Sequence, residues 1–418
     1  MPELASLTYH PSMPAGEVVL SFEDARRVAE EQAASVSTPE KETVALDASL
    51  GRVLAEEVFA DRDVPAFPRA MRDGYAVRAA DLTSLPTRLK VLGEIKAGGD
   101  PSGFRVQPGE AVGIMTGAPA PAGADSVVMV EHTSAHGDLV DISRGIHSGD
   151  NIVPAGAEAR RGDPLLTPGT RIDEGVIAVA ASSGKAKVQV HALPKVAILS
   201  TGDELVDIQQ SPGPSQIRNS NSHSLAAQVR KAGGEPVILP IAPDEKDRLR
   251  ALIEEGLRSD LLLLSGGVSV GRFDFVEQVL EELGAEFFFT GALIQPGKPV
   301  VFGRVGKKYF FGLPGNPVST MVTFELFARP ILEALGGAAP QPLRFLHAKL
   351  RSPVTRKPGL RRFLPATLTG EFENAQVELT PWQGSGDLAS TARANCYAVI
   401  AADRETIAAG EWIPVLPR

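Results

Sequence analysis

The chain has 418 residues, 43% hydrophobic and 22% charged, a globular composition with length for about three domains. Its formal net charge is −9 and its one cysteine is Cys396, so it lacks the basic footprint of a nucleic-acid binder and can form neither an internal disulfide nor a Cys-rich metal site. No apolar run approaches the roughly 18 residues of a membrane span, and no amino-terminal stretch orders basic, apolar and cleavage-site regions, so we expect a cytoplasmic protein that touches no membrane.

Residues 1–20 carry no periodic pattern. Ser21 and Asp24 then resemble a capping box, and Phe22, Ala25, Val28 and Ala29 mark one face of a helix reaching Ala34. A second helix is expected over 48–57. Between 60 and 170, short apolar runs at 89–92, 127–130 and 139–142 are broken by Gly and Pro, which reads as a β-rich module. Within it, Gly137 places His132 and His136 on a surface loop rather than on a metal-binding helix. Thr170 and Asp173 suggest a capping box before a helix over 174–181, and a strand follows at 187–191.

From 194 to 337 the pattern changes. Strand-like runs at 196–199, 237–239, 261–264 and 309–311 alternate with helical runs at 222–231, 246–257, 274–283 and 318–335, the signature of βαβ units on a mainly parallel sheet. A Pro/Ala linker at 338–342 precedes short strands at 346–350, 363–368, 377–379, 397–401 and 412–415, expected to close a small β-barrel. Cys396 and the two tryptophans, Trp382 and Trp412, read as packing residues of that barrel.

Chemistry gathers in the α/β region. Ligands of open parallel sheets bind beyond the carboxyl ends of the strands. Here those ends lead into Ser200-Thr201-Gly202-Asp203-Glu204, Pro243-Asp244-Glu245, the loop 265–271 (Ser265, Gly266, Gly267, Ser269, Gly271) with Asp274 beyond it, and Gly312-Leu313-Pro314-Gly315-Asn316-Pro317. A glycine-rich loop between strand and helix lets backbone N–H groups approach an anion. Asp203, Glu204, Asp244 and Asp274 would repel that anion unless a hard cation intervened, and Mg²⁺ binds through one or two carboxylates plus substrate phosphates. Each loop alone could be a tight turn and each carboxylate a solvated cap. Four such loops at one sheet edge select a Mg²⁺-assisted phosphate or nucleotide site.

These residues resemble a known family. Thr201-Gly202-Asp203-Glu204-Leu205, the 265–271 loop with Asp274, Pro296-Gly297-Lys298-Pro299, and Gly312 through Pro317-Val318-Ser319 are similar to the molybdenum insertases, which include the E domain of gephyrin. Upstream, Asp73-Gly74-Tyr75-Ala76-Val77 and Ile114-Met115-Thr116-Gly117-Ala118-Pro119 match in the same order, and the resemblance spans about residues 20–418. It implies a linker domain assembled from 20–61 and 163–193, a β-rich module over 62–162, a molybdopterin-binding-like α/β domain over 194–337, and a carboxyl-terminal β-barrel over 338–418. It also implies a homodimer whose active cleft lies between the α/β part of one subunit and the β module of the other.

The implied reaction transfers molybdate into the dithiolene of adenylylated molybdopterin with release of AMP, assisted by Mg²⁺ or Zn²⁺. A transient contact with a molybdopterin adenylyltransferase would deliver the substrate. In that reading Glu204, Asp244 and Asp274 hold the metal and, with Asp203, organise the reacting phosphate. Ser265, Gly266, Gly267, Ser269, Gly271, Pro314, Gly315, Asn316, Pro317 and Ser319 cradle phosphate or pterin, Lys298 offsets charge, and Asp73 and Thr116 come from the partner's module. The sequence departs from the family at Val153-Pro154-Ala155 after Asn151-Ile152, where basic residues are common, at Glu158, and at Gln295, where a Lys is frequent. A molybdopterin adenylyltransferase would need neither the β module nor the barrel, and a non-catalytic scaffold would not need the acidic cluster.

Overall fold

The structure, a computed structural model, describes residues 18–267 and 275–418. The first helix, α1 (Phe22–Ala34), begins where Ser21 Oγ accepts the Asp24 N–H at 3.0 Å. Its apolar face, Phe22, Ala25, Ala29 and Ala33, is buried. The expected second helix does not form. After a short 3₁₀ turn at Leu46–Ala48, Gly51 adopts φ +77°, and the chain extends to bridge Val53 with Arg171 and Leu54 with Val190. Leu54 and Val58 join Ile172, Ala180, Val188 and Val190 in one core. Long-range burial thus overrides helix propensity here.

The β-rich segment forms a sheet of six strands in the order Ser126–Met129, Gly74–Val77, Glu110–Ile114, Thr87–Ile95, Leu139–Ile142, Thr133–His136. Strand periodicity sends successive side chains to opposite faces. Ala76, Val112 and Val127 enter one core, while Val77, Ala111 and Val128 enter the other. His136 ends a strand rather than sitting in a loop. Its Nε2 lies 3.6 Å from Asp141, while His132 Nε2 lies 3.0 Å from Arg144, so the two histidines engage different partners. Helix α2 (Glu174–Ser182) is capped by Asp173 alone, because the Thr170 hydroxyl donates back to the Thr167 carbonyl.

The α/β unit carries a sheet in the order Glu235–Ile238, Lys195–Ser200, Leu261–Ser265, Lys308–Leu313, Val301–Val305, Ala285–Phe289. The first four strands are parallel, and the last two add an antiparallel edge that the alternating pattern did not reveal. Val196, Ile198, Leu261 and Leu263 pack on one face with α3 (Ser220–Lys231), and Ala197, Leu199, Leu262 and Leu264 pack on the other with α4 (Lys246–Gly256) and α5 (Phe275–Glu282). The run expected as one helix over 318–335 divides into α6 (Pro317–Thr323), a π-helical turn (Phe324–Ala328) and α7 (Arg329–Leu335). Arg26 of α1, 8% exposed, donates to the carbonyl of Leu326 inside the π turn at 2.5 Å. α1 therefore packs onto the α/β core, with Phe22 6.3 Å from Phe327 and 5.2 Å from Phe363 of the barrel.

The carboxyl-terminal strands close a five-membered ring. Arg361–Thr369 pairs with both Gln376–Leu379 and Cys396–Ile400, and Leu346–Leu350 and Trp412–Pro417 complete the circuit. Cys396 lies inside the ring, and burial pushes its thiol up to about 11. Trp382 packs on the same core, whereas Trp412 is half exposed beneath the Lys349 ammonium. No helix among the described residues is long and apolar enough to cross a membrane.

Candidate active site

The parallel strands end in register, Ser200 beside Ser265 and Ser265 beside Leu313, so their loops emerge on one edge. There they border an open cleft of about 880 Å³. Glu204, Asp244, Ser265, Gly266, Gly267 and the segment from Pro314 to Pro317 all line it, as the strand-end argument requires.

The loops approach so closely that one glycine is obligatory. Gly266 has φ +92°, and a Cβ there would stand 2.7 Å from the Thr201 carbonyl oxygen. Gly315 packs on its other side, with a Cβ position 3.6 Å from the Gly266 Cα. The Gly266 N–H is already bonded to the Leu313 carbonyl at 3.2 Å. The Gly266 amide is therefore already engaged and is not free to meet an anion.

Asp244 backs onto Asp203, whose Oδ1 accepts the Asp244 N–H at 3.1 Å. Desolvation and the nearby Asp203 and Glu204 charges hold the Asp244 carboxyl above the usual carboxylate range. Burial and like charges at close range disfavour ionisation, and groups perturbed in this way cluster at functional sites. Ser269, Gly271 and Asp274 lie outside the described residues. Among the described residues no group of three or more His, Cys, Asp or Glu is arranged to hold a metal ion.

Three expected residues of the α/β unit do not line the cleft: Asp203, which backs Asp244, Ser319 and Lys298. Ser319 is 3% exposed within α6, and its carbonyl accepts the Thr323 hydroxyl at 2.8 Å. Lys298 is exposed without an ion pair among the described residues, while its neighbour Pro299 does line the cleft. Asp73 and Thr116 form a pair of their own on the β-rich sheet. Asp73 Oδ1 accepts the Thr116 N–H at 2.6 Å and the Thr116 hydroxyl at 2.8 Å, and these bonds hold its carboxyl below the usual range.

Sequence reasoning missed the start of α3. Asn219 caps it by accepting the Ser222 N–H at 3.2 Å, and Ser220 and Asn221 open into the cleft. The Asn221 amide nitrogen reaches Ser265 Oγ and the Gly315 carbonyl, both at 2.8 Å, and so ties two loops together. Its Oδ1 is buried without a partner. The run Asn219-Ser220-Asn221-Ser222 was the available signal, since such residues favour helix starts. Just before the departure at Val153-Pro154-Ala155, Asn151 donates to the Val127 carbonyl at 2.8 Å, and at the other two, Glu158 receives Arg69 at 2.8 Å and Gln295 Oε1 accepts from Arg362 at 2.7 Å.

Fold and cleft together define a multidomain α/β-plus-β protein with a ligand cleft at the carboxyl edge of a mainly parallel sheet. Comparison with known families makes this specific. The MoeA N-terminal region (domain I and II) matches residues 20–184, the probable molybdopterin binding domain 197–334, and the MoeA C-terminal region (domain IV) 347–417. Molybdopterin molybdenumtransferase of Bacillus subtilis is 37% identical over 389 residues, covering 90% of each chain. The namesake from a Nostoc species is 39% identical over 311 residues, covering 72% of this chain and 71% of the relative. The crystal structure of the molybdopterin biosynthesis MoeA protein from Pyrococcus horikoshii superposes with a TM-score of 0.76 at 29% identity, covering 96% of this chain and all of that one (100%). The chain belongs to the molybdopterin molybdenumtransferase family.

Proposed function

We propose that this protein is a molybdenum insertase, which takes adenylylated molybdopterin and molybdate, releases AMP, and delivers the metal to the dithiolene sulfurs. The observation that carries the reading is the cleft itself. The α3 amino-terminus opens toward the cleft and favours an anion, yet Glu204, Asp244 and Asp203 concentrate negative charge beside it. A substrate with a pyrophosphate link and a divalent cation satisfies both halves of that arrangement.

The donor set fits Mg²⁺ better than Zn²⁺. No His or Cys lines the described cleft, and hard carboxylate oxygens from one or two residues suit Mg²⁺. Glu204 and Asp244 would hold it, with Asp274 as the third ligand expected from the sequence. When bound, the ion supplies positive charge to the phosphate oxygens as the link is cleaved. The first turn of α3 orients the phosphate, Asn221 fixes the Ser265 and Gly315 loops around it, and the exposed Lys298, next in sequence to the cleft-lining Pro299, offsets the anionic charge.

The Asp73–Thr116 pair completes the site from a second copy of the chain. Supporting this, the β-rich module leaves Phe67, Met71, Met115 and Val130 exposed close in sequence to those two residues, an apolar set expected under an interface. A transient contact with a molybdopterin adenylyltransferase would pass the substrate on without release.

The test is incubation with adenylylated molybdopterin, molybdate and Mg²⁺, following AMP release and reconstitution of a molybdenum-free apoenzyme. Molybdate-dependent AMP release with recovered apoenzyme activity is expected from the wild type and not from Glu204→Gln. A folded dimer that releases no AMP and reconstitutes nothing overturns the reading. Mixing inactive Glu204→Gln with inactive Asp73→Asn subunits should restore partial activity, because each mixed dimer keeps one intact shared site. No restoration after verified subunit exchange removes the shared cleft.

A further inference from the structure

Charge accounts for only part of the cleft wall. Among the described residues, two large apolar side chains that stand exposed also line it: Ile217, 58% exposed, and Leu388, 41% exposed. Exposed apolar residues scattered singly over a surface are ordinary. These two belong to different walls of one cleft, and the first turn of α3 is bonded to both walls.

The first wall is a short parallel ribbon, Leu205–Val206 beside Ile217–Arg218. Leu205 pairs with Ile217, and both line the cleft. The ribbon follows the acidic Glu204 directly, and the Glu204 carbonyl accepts the Ile217 N–H at 2.8 Å. Its other end leads into α3, where the Asn219 N–H donates to the Val206 carbonyl at 2.9 Å. The second wall is shared between two domains. Pro314 and Pro317 come from the segment after the strand Lys308–Leu313, and Leu388 opens a short barrel helix, α8 (Leu388–Arg393). The Val318 N–H donates to the Ser385 carbonyl at 3.0 Å and holds the barrel segment against the start of α6. The first turn of α3 reaches this wall too, through the bond from Asn221 to the Gly315 carbonyl at 2.8 Å. The polar seat is thus tied through Asn219 to an apolar ribbon and through Asn221 to an apolar face completed by the barrel.

An anion seat joined to two separate apolar walls suits a molecule with two flat rings linked through phosphates. At about 880 Å³ the cleft lies toward the upper end of the range for small-molecule sites, with room for more than one ring. We infer that Ile217 and Leu388 are specificity-determining residues, each supporting one heteroaromatic half of the substrate, with the phosphate link held between them at the α3 amino-terminus. The identity of the halves, adenine and pterin, rests on the insertase reading. The carboxylates and the helix start recognise the charge, and the two walls select what is attached to it.

The probes are AMP and ribose 5-phosphate, which share a sugar phosphate and differ by the adenine, titrated calorimetrically into the full-length protein with Mg²⁺. A ring laid on one exposed apolar side chain removes on the order of 50 Å² of apolar surface from water, so AMP should bind the wild type about tenfold more tightly than ribose 5-phosphate. Ile217→Ser and Leu388→Ser each change an exposed position. One of them should reduce the preference to about threefold or less and the other should leave it intact, because adenine occupies a single wall. Neither should change the affinity for ribose 5-phosphate. The variant that keeps the AMP preference should instead lose affinity for 6-hydroxymethylpterin, which carries the other ring. The inference is overturned by a wild type without the AMP preference, by a preference that both variants keep, or by one that both lose. Release of AMP from adenylylated molybdopterin is measured alongside. Molybdate-dependent release with the preference intact in both variants removes the two walls and leaves the insertase reading. A preference lost in one variant alone, in a protein that releases no AMP, does the reverse.

Discussion

Replacing Gly266 by alanine probes a close backbone approach between two strand-end loops of the cleft. The residue sits at φ +92°, where an L side chain costs about 1–2 kcal/mol. The new methyl would also lie 2.7 Å from the Thr201 carbonyl oxygen, a backbone atom tied into the sheet. Relieving that overlap requires two strand ends to separate, and overpacking of this kind costs about 1–3 kcal/mol. The sum, about 2–5 kcal/mol, corresponds to a melting shift of about 5–15 °C for a unit of this size. Gly315→Ala is the matched control. It lies in the neighbouring loop, but its Cβ would meet only the Gly266 Cα at an ordinary 3.6 Å. Differential scanning calorimetry of both variants decides the matter. If Gly266→Ala melts with Gly315→Ala and the wild type, the strand-end packing described for the cleft is wrong.

Asp244→Asn should raise stability without added metal, because the folded state holds that carboxyl above its unfolded value and loses stability as pH rises through the window between them. In the proposed insertase reading Mg²⁺ should stabilise the wild type, and the same variant should lose that effect, measured by thermal shift at neutral pH. His191 is buried, and burial lowers its folded pKa. Its neutral form therefore stabilises the protein above the unfolded value near 6.5, and that contribution is lost as pH falls toward the folded value. His191→Gln should flatten the acid limb of the stability profile. Cys396, with its thiol raised to about 11, should resist thiol reagents at pH 8 in the native protein and react only on unfolding, as mass spectrometry will show.

Much of the site was legible because strand periodicity and loop chemistry are local. Four apolar runs with polar ends sufficed to place Glu204, Asp244, Ser265 and the segment 314–317 on one edge. What escaped the sequence depends on distant partners. The antiparallel strands Ala285–Phe289 and Val301–Val305 are dominated by apolar residues that a buried helix could equally carry. Residues 48–57 have helical propensity, and only the bridges to Arg171 and Val190 draw them straight. Ser319 follows a motif, yet its helix turns it into the core. Asn221 acts through two loops that are far from it in sequence, separations of 44 and 94 residues, so its Asn/Ser run signals a helix start but not the loops it ties.

The seating of α1 on the π turn has a consequence for how the chain is made. Arg26 and Leu326 are separated by 300 positions, so during synthesis the helix emerges long before the surface that receives it. Until then Phe22, Ala25 and Ala29 have no lasting cover, and Phe324, Phe327 and Phe289 are fully sheltered only once the helix docks on them. Closing so long a loop slows folding and exposes apolar surface to other chains. A fragment cut to residues 194–337 would inherit that exposure permanently. Supplying residues 18–36 as a separate peptide should restore its solubility, because this helix belongs physically to a unit that begins far downstream of it.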